Sequence, residues 1–310
     1  MPIESPLISA TNLRWQTSPL ITLEEIDSSV QLVPASSFSI DQLVAAYNQT
    51  RVDYLVPMPM NAARLAEYIH IYDVDLDRSQ VAVEGDQILG LAMLGVRPSC
   101  VWITRLGVLP IKRRRGVGEA LMRALLAAVD ELRATCTCLE VIKHNTPAHA
   151  LFRKLGFTET RELLILRRPP GPPAQVPAAE TAWLDRTEAL ALLGTRTPPP
   201  AWTNETSSLA NLENITGLSL RLSDGTTGWL VFERQKFILS HFSLLTLQGD
   251  SVALGQALLA HLYQRYPDLD TDAENIPVDD PHLPAFFDSR FVEAFRRIEM
   301  HRQAPCGSRY

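Results

Sequence analysis

The chain has 310 residues, 46% of them hydrophobic and 21% charged, with a formal net charge of −6. That length accommodates two cores, and that composition excludes wholesale disorder. The acidic balance argues against nucleic acid as the main partner. Residues 1–168 carry 18 basic and 18 acidic side chains, so the whole excess of acid lies in the C-terminal part. The four cysteines, Cys100, Cys136, Cys138 and Cys306, form no C-x-x-C pair and lack companions at metal-ligand spacing, so neither a disulfide framework nor a metal is expected. No basic-then-apolar leader opens the sequence and no apolar run reaches membrane-spanning length. The expectation is therefore a cytoplasmic protein without a membrane partner.

In chain order, Ile40–Asn48 reads as a helix capped by Ser39 or Ser37, and a second helix lies near Asn61–Tyr68. Gln80–Glu84, a Gly85-Asp86 turn and Ile88–Val96 form a hairpin, and Val101–Leu109 is a third strand. A basic, glycine-containing turn leads into a helix over Val117–Arg133, whose Leu121, Leu125, Val129 and Leu132 trace a buried face. Leu139–Ile142 is a short strand, Pro147–Leu155 a helix ended by Gly156, and a last strand runs through Leu163–Leu166. Five prolines and a glycine within Arg167–Pro177 then predict an extended, stiff connector.

Beyond the connector the same order returns. There is a hairpin at Leu218–Leu222 and Gly228–Glu233, a strand at Phe237–Leu245 and a helix at Val252–Tyr266. An acidic stretch follows, then a helix near His282–Asp288 and a strand at Phe291–Met300. Ala120–Ala127 parallels Ala253–Ala260, and Phe152 and Phe157 parallel Phe286 and Phe291, so the period is that of a duplicated domain and not of a solenoid.

The run Arg113-Arg114-Arg115-Gly116-Val117-Gly118 carries the chemistry. A turn entering a helix leaves backbone N–H groups pointing at one spot, and the helix dipole favours an anion there. Gly116 and Gly118 clear side chains from the approach, and the arginines add charge. On its own a basic run is more often a solvated face or a nucleic-acid patch. Its place between an apolar strand ending at Pro110 and a strongly periodic helix selects the phosphate reading. No G-K-[ST] follows, and the third glycine of a dinucleotide fingerprint is missing, so neither a P-loop nor a dinucleotide site is expected.

Leu106-Gly107-Val108-Leu109-Pro110 followed by Arg113-x-x-Gly116-x-Gly118 resembles the acyl-CoA signature of the GCN5-related N-acetyltransferases (GNAT). Asn145, Ala148 and Leu151–Phe157 resemble the family's second motif. The resemblance covers roughly residues 25–168. It implies an α/β fold with two tandem GNAT-like domains, each a mostly antiparallel sheet with one splayed strand pair, flanked by helices. The implied domains are 1–168, a connector over 169–177, and a degenerate copy over 178–310. The implied activity is transfer of an acetyl group from acetyl-CoA to an amine of a small molecule or peptide, by direct attack in a ternary complex.

The resemblance also implies site roles. Backbone groups at Leu106 and Val108 would pair with the pantetheine amides, with the Val108 N–H facing the thioester oxygen as it gains charge. Amides of Arg114, Arg115, Gly116, Val117, Gly118 and Glu119 would hold the pyrophosphate. Asn145 would reach the pantetheine, or cap the following helix, and Ala148 would leave it room. Phe152 stands where the family often has a tyrosine acid, and it has no proton to give. Glu140 ranks first as general base by proximity alone, ahead of Tyr68, His70, Tyr72 and Asp73. In the second half the corresponding turn is Leu247-Gln248-Gly249-Asp250-Ser251-Val252, where one glycine remains and Asp250 repels phosphate. One acyl-CoA per chain is therefore expected. A non-catalytic acyl-CoA-binding module is the alternative reading.

Overall fold

The computed structural model describes residues 29–303; Cys306 and the sequence before Ser29 lie outside the described residues. The chain forms two compact units. Residues 29–139, 147–158 and 301–303 belong to the first, and residues 140–146 and 159–300 to the second.

The first unit begins with β1 (Val30–Pro34), which no sequence signal announced. Helix α1 (Ile40–Gln49) follows a capping box in which Ser39 and Gln42 each bond the other's backbone N–H. Asn61 caps α2 (Ala62–Ile71) through the Arg64 N–H. The hairpin strands are β2 (Val74–Glu84) and β3 (Gln87–Val96), and β4 spans Cys100–Val108. Helix α3 (Val117–Leu132) buries Leu121, Leu125 and Val129 as the periodicity predicts, while Leu132, at its last position, is only half-buried. Each buried side chain contributes about 1.5–3 kcal/mol by leaving water. Strand β5 (Cys136–Ile142), helix α4 (Thr146–Lys154) and strand β6 (Thr158–Arg168) complete the predicted order, each close to its expected place in sequence, with β6 from Glu159 onward belonging to the second unit. The sheet order is β1-β2-β3-β4-β5, antiparallel except for β4 with β5.

The proline-rich stretch lies against the second unit. Arg168 is buried, donates to the carbonyls of Ser289, Pro169 and Gly171, and stacks on Tyr263 at 3.5 Å. The Gly171 N–H donates to Pro267 O at 2.6 Å. The extended connector read from the sequence is thus fastened along its length, because its freed carbonyls find donors in the second unit.

Strand β7 (Ala179–Leu184), helix α5 (Arg186–Leu193), a 3-10 turn at Trp202–Asn204 and helix α6 (Thr206–Ala210) come next. The repeat then runs β8 (Ile215–Leu222), β9 (Thr227–Arg234), β10 (Ile238–Gln248), α7 (Ser251–Arg265), β11 (Asp270–Pro277), α8 (Leu283–Asp288) and β12 (Val292–Gln303). In this unit the sheet order is β12-β6-β11-β10-β9-β8-β7. The acidic stretch is therefore partly a strand. Within it, Asp272 pairs with Arg167 at 2.6 Å and Glu274 with Arg297 at 2.9 Å.

The two units share two irregularities. The parallel β4–β5 ladder covers only Cys100↔Cys136 to Ile103↔Leu139, and the parallel β10–β11 ladder only Ile238↔Asp270 to Ser240↔Asp272. Each long strand also carries a bulge against its antiparallel neighbour, with Arg105 at φ 55° in β4 and His241 at φ 55° in β10.

Candidate functional site

The turn that the sequence reads as a phosphate site has a curled backbone. Arg114 (φ 60°) and Gly116 (φ 79°) take left-handed backbone, which curls the chain around its own N–H groups. Gly116 stands at the N-cap of α3 and supplies no side-chain cap. Among the described residues, no N–H from Arg114 to Glu119 finds an acceptor. Four residues of helical N–H at a 16-residue helix with no cap are the donors an anion requires. A Cβ on Gly118 would meet Val108 Cγ2 at 3.6 Å and Leu151 Cδ2 at 3.8 Å, so the turn lies directly against the end of β4 and against α4.

The arginines divide their work. Arg113 turns back on the protein: its guanidinium makes two 2.7 Å bonds to Asp53 and further bonds to the carbonyls of Thr50 and Val108. The Asp53 carboxyl is held below its usual range chiefly by that hydrogen bonding. Arg113 thus pins the turn to the end of α1, while Arg114 and Arg115 are exposed. Lys112 is paired with Glu84. Glu119 bridges Arg123 at 2.6 Å and Lys154 at 2.7 Å, which ties α3 to α4.

Beyond Ile103 strand β4 has, among the described residues, no strand neighbour on the side of this turn, where the Leu106 and Val108 carbonyls accept from the Arg51 and Arg113 side chains. Its pairing with β5 stops at Ile103, whereas its pairing with β3 continues to Gly90↔Val108. The Leu109 N–H donates to Leu89 O on the β3 side at 2.8 Å. Backbone groups alternate along a strand, so those of Leu106 and Val108 face the other way, along the edge that β5 has left. Thr104–Val108 are partly accessible although the residues of β3 beside them are buried. The edge that β5 leaves and the uncapped helix end are what an extended arm ending in a pyrophosphate requires.

On α4, Ala148 is half-buried. Phe152 is 5% exposed and packs edge-on to Phe157 at 6.2 Å, as a core residue. Asn145, just ahead of α4, groups with the second unit, as does Glu140. Glu140 directly follows Leu139, the last residue of the β4–β5 ladder. Its carboxylate lies 3.7 Å from Arg297, in a buried set that includes Glu274 and Asn275. Burial pushes the Glu140 carboxyl up to about 7 against the pull of Arg297, and Glu299 and Glu274 push the same way.

Tyr68 and Tyr72, named from the sequence, belong to a larger group whose arginines the sequence did not single out. Arg51 lies between the rings of Tyr47 (4.7 Å) and Tyr54 (4.3 Å) and donates to Leu106 O at 3.3 Å. Arg105 lies over Tyr68 at 4.0 Å and donates to the Tyr47 hydroxyl at 2.9 Å. Tyr68 OH and Thr104 Oγ1 are 2.6 Å apart, and Tyr68, Tyr72 and Trp102 stack together. Arg51 meets Tyr47 and Tyr54 locally, but the contacts that join it to Leu106, Arg105 to Tyr47 and Tyr68 to Thr104 span more than 30 residues, so no local motif records the group as a whole. The one local signal was Arg105 itself, a charged residue inside an otherwise apolar strand.

The second unit lacks this turn for two visible reasons. Only Gly249 and Asp250 separate β10 from α7, against eight residues between β4 and α3. The Asp250 carboxylate caps α7 by accepting the Ala253 N–H at 2.7 Å, where an anion would otherwise bind. In addition the buried turn Trp202–Asn204 packs on β10, and the Asn204 amide donates to Glu274 O of β11 at 2.8 Å. The edge that a cofactor arm would use is thereby filled by the chain itself.

Residues 44–157 match the Acetyltransferase (GNAT) family. A GCN5-like protein acetyltransferase of Mycobacterium tuberculosis is 39% identical over 69 residues, which is 22% of this chain and 34% of that protein. A mycothiol acetyltransferase of Frankia alni is 30% identical over 177 residues, 55% of this chain and 50% of that protein. The chain thus spans half or less of the length of these curated relatives. Among solved structures, a tandem GNAT protein from the clavulanic acid biosynthesis pathway superposes with a TM-score of 0.63 at 14% identity, covering 89% of this chain and 99% of that one. That likeness is one of fold.

Proposed function

Since residues 44–157 match the GNAT acetyltransferase family, we propose that the chain transfers an acetyl group from acetyl-CoA to the amine of a small molecule or peptide, in a ternary complex, using a single acyl-CoA site. The observation that carries this is the uncapped α3 N-terminus packed against the end of β4, on the edge that β5 leaves after Ile103. In chain terms, residues 1–168 form the acyl-CoA-binding domain, 169–177 the joining segment and 178–310 a copy that has lost its own site.

In this reading the N–H groups of Arg114–Glu119 bind the pyrophosphate, with Arg114 and Arg115 adding charge and Arg113 holding the turn in shape. Leu106 and Val108 orient the pantetheine through their backbone groups, with Asn145 assisting and Ala148 leaving room. Acetyl-CoA supplies an acyl group activated as its thioester. The Val108 N–H donates to the thioester oxygen as charge develops there. Holding amine and thioester in contact supplies much of the rate. Glu140 takes the ammonium proton, a task suited by a carboxyl pushed up to about 7. Phe152 packs beneath the site and transfers no proton, so the thiolate leaves with its charge, as a thiol pKa of about 8.5 permits.

The test is release of free CoA from acetyl-CoA with a panel of amines and peptides. Turnover with at least one acceptor, abolished by Gly118→Glu, is the expected result. The absence of a hydroxyl at Phe152 favours a second reading, a module that binds acyl-CoA without turning it over. Tight acetyl-CoA binding with no turnover on any acceptor would establish that reading instead. The two curated relatives are named as a GCN5-like protein acetyltransferase and a mycothiol acetyltransferase, and the two names differ in chemistry, so neither names the acceptor of this chain.

A further inference from the structure

Arg51 has a setting that packing alone does not account for. Among the described residues it has no carboxylate partner, in a protein with an excess of acid. Its Nε is buried without an acceptor. Two tyrosine rings hold the guanidinium flat, which fixes the plane of its donor fork. A second guanidinium, that of Arg105, shares the Tyr47 ring at 5.3 Å and is aimed by the β4 bulge. Both lie within the first unit. Arg51 reaches the edge of β4 that β5 leaves at Leu106 O, at the end away from the phosphate turn. One strand repeat, about 6.6–6.8 Å, separates Leu106 from Val108, whose N–H faces the thioester in the reading above.

We propose that Arg51, supported by Arg105, is the subsite for a carboxylate on the acceptor, so that the acceptor is a small amino acid-like amine. The inference rests on the acetyltransferase reading. One guanidinium nitrogen is used on Leu106 O, and the remaining N–H groups of the planar fork suit a carboxylate, held between the tyrosine rings, through parallel hydrogen bonds. An amine a few ångströms from that carboxylate then falls one strand repeat further along, beside Val108. A neutral amide in place of the carboxylate leaves a positive charge unpaired and presents N–H groups to N–H groups, so the site rejects it.

The experiment pairs amino acids of increasing amine-to-carboxylate length, from glycine through β-alanine upward, each with its own amide, and follows CoA release. The expected result is at least one acid used with a kcat/KM tenfold or more above that of its amide. Arg51→Gln brings that ratio to about one, and Arg51→Lys retains part of it. A purely structural role for Arg51 would lower both members of a pair together and leave the ratio intact, which overturns the proposal. So does use of amides or peptides in preference to acids. If no amine turns over, the acetyltransferase reading fails and binding decides the subsite. β-Alanine, but not β-alaninamide, must then raise the melting temperature of the acetyl-CoA-saturated protein, and Arg51→Gln must remove that shift. Equal shifts with acid and amide, or none, reject the carboxylate site.

Discussion

Gly118 has room for a Cβ, whose nearest neighbours would be ordinary contacts at 3.6 and 3.8 Å. Its backbone is helical, so a larger residue there is tolerated by the fold but projects a side chain beside the uncapped N–H groups. Gly118→Glu is therefore predicted to abolish acetyl-CoA binding in calorimetry while the thermal melt moves by less than a few degrees. At Glu140 the prediction concerns pH. With its carboxyl pushed up to about 7, the base form appears as pH rises through 7, so kcat/KM climbs there. Glu140→Gln is expected to remove that limb and to lower the rate by about 10²-fold or more. The same shift has a stability sign. A carboxyl whose pKa is raised by folding binds its proton more tightly in the native state. Its contribution is thus full below the unfolded value near 4.5 and is lost as pH rises through about 7. Asp272, also pushed up to about 7 by burial, acts in the same direction. Thermal melts between pH 5 and 8 are expected to show falling stability, with a shallower fall in Glu140→Gln. Equal slopes in the two proteins would show that Glu140 does not titrate in that window.

Two helices with matching sequences end differently, and the difference lies in what precedes them. Helix α3 follows an eight-residue loop and has no side-chain cap, whereas α7 follows two residues and is capped by Asp250. Asp250→Ala is expected to cost about 1 kcal/mol of stability as a lost cap, and to leave acetyl-CoA affinity unchanged. A change in affinity would place cofactor at the second unit. Such elements were legible in the sequence wherever the physics is local. The Ser39 cap, the α3 stripe and the left-handed entry at Gly116 are each set within a few residues. Strand β11 was missed because its alternate positions are acidic, and only Arg167 and Arg297, more than 20 residues away, make those positions tolerable. Strand β1 and the segment Ala179–Ala210 were missed for lack of periodicity. The Arg51–Tyr47–Arg105 group was invisible because it is assembled across α1, the segment that follows it and a bulge.

At the scale of the whole chain, duplication has produced two units that keep one geometry and divide its use. Both retain a long bulged strand and a short parallel ladder that ends early. In the first the freed edge faces no strand among the described residues, and an uncapped helix stands beside it. In the second the edge is occupied by Trp202–Asn204 and the helix is capped. The central claim is thus one acyl-CoA per chain, bound at the Gly116–Gly118 turn. Calorimetric titration of acetyl-CoA into the intact protein and into Gly118→Glu tests it most directly. The account predicts a stoichiometry of one for the former and no binding for the latter. A stoichiometry of two, or binding that survives Gly118→Glu, would contradict it.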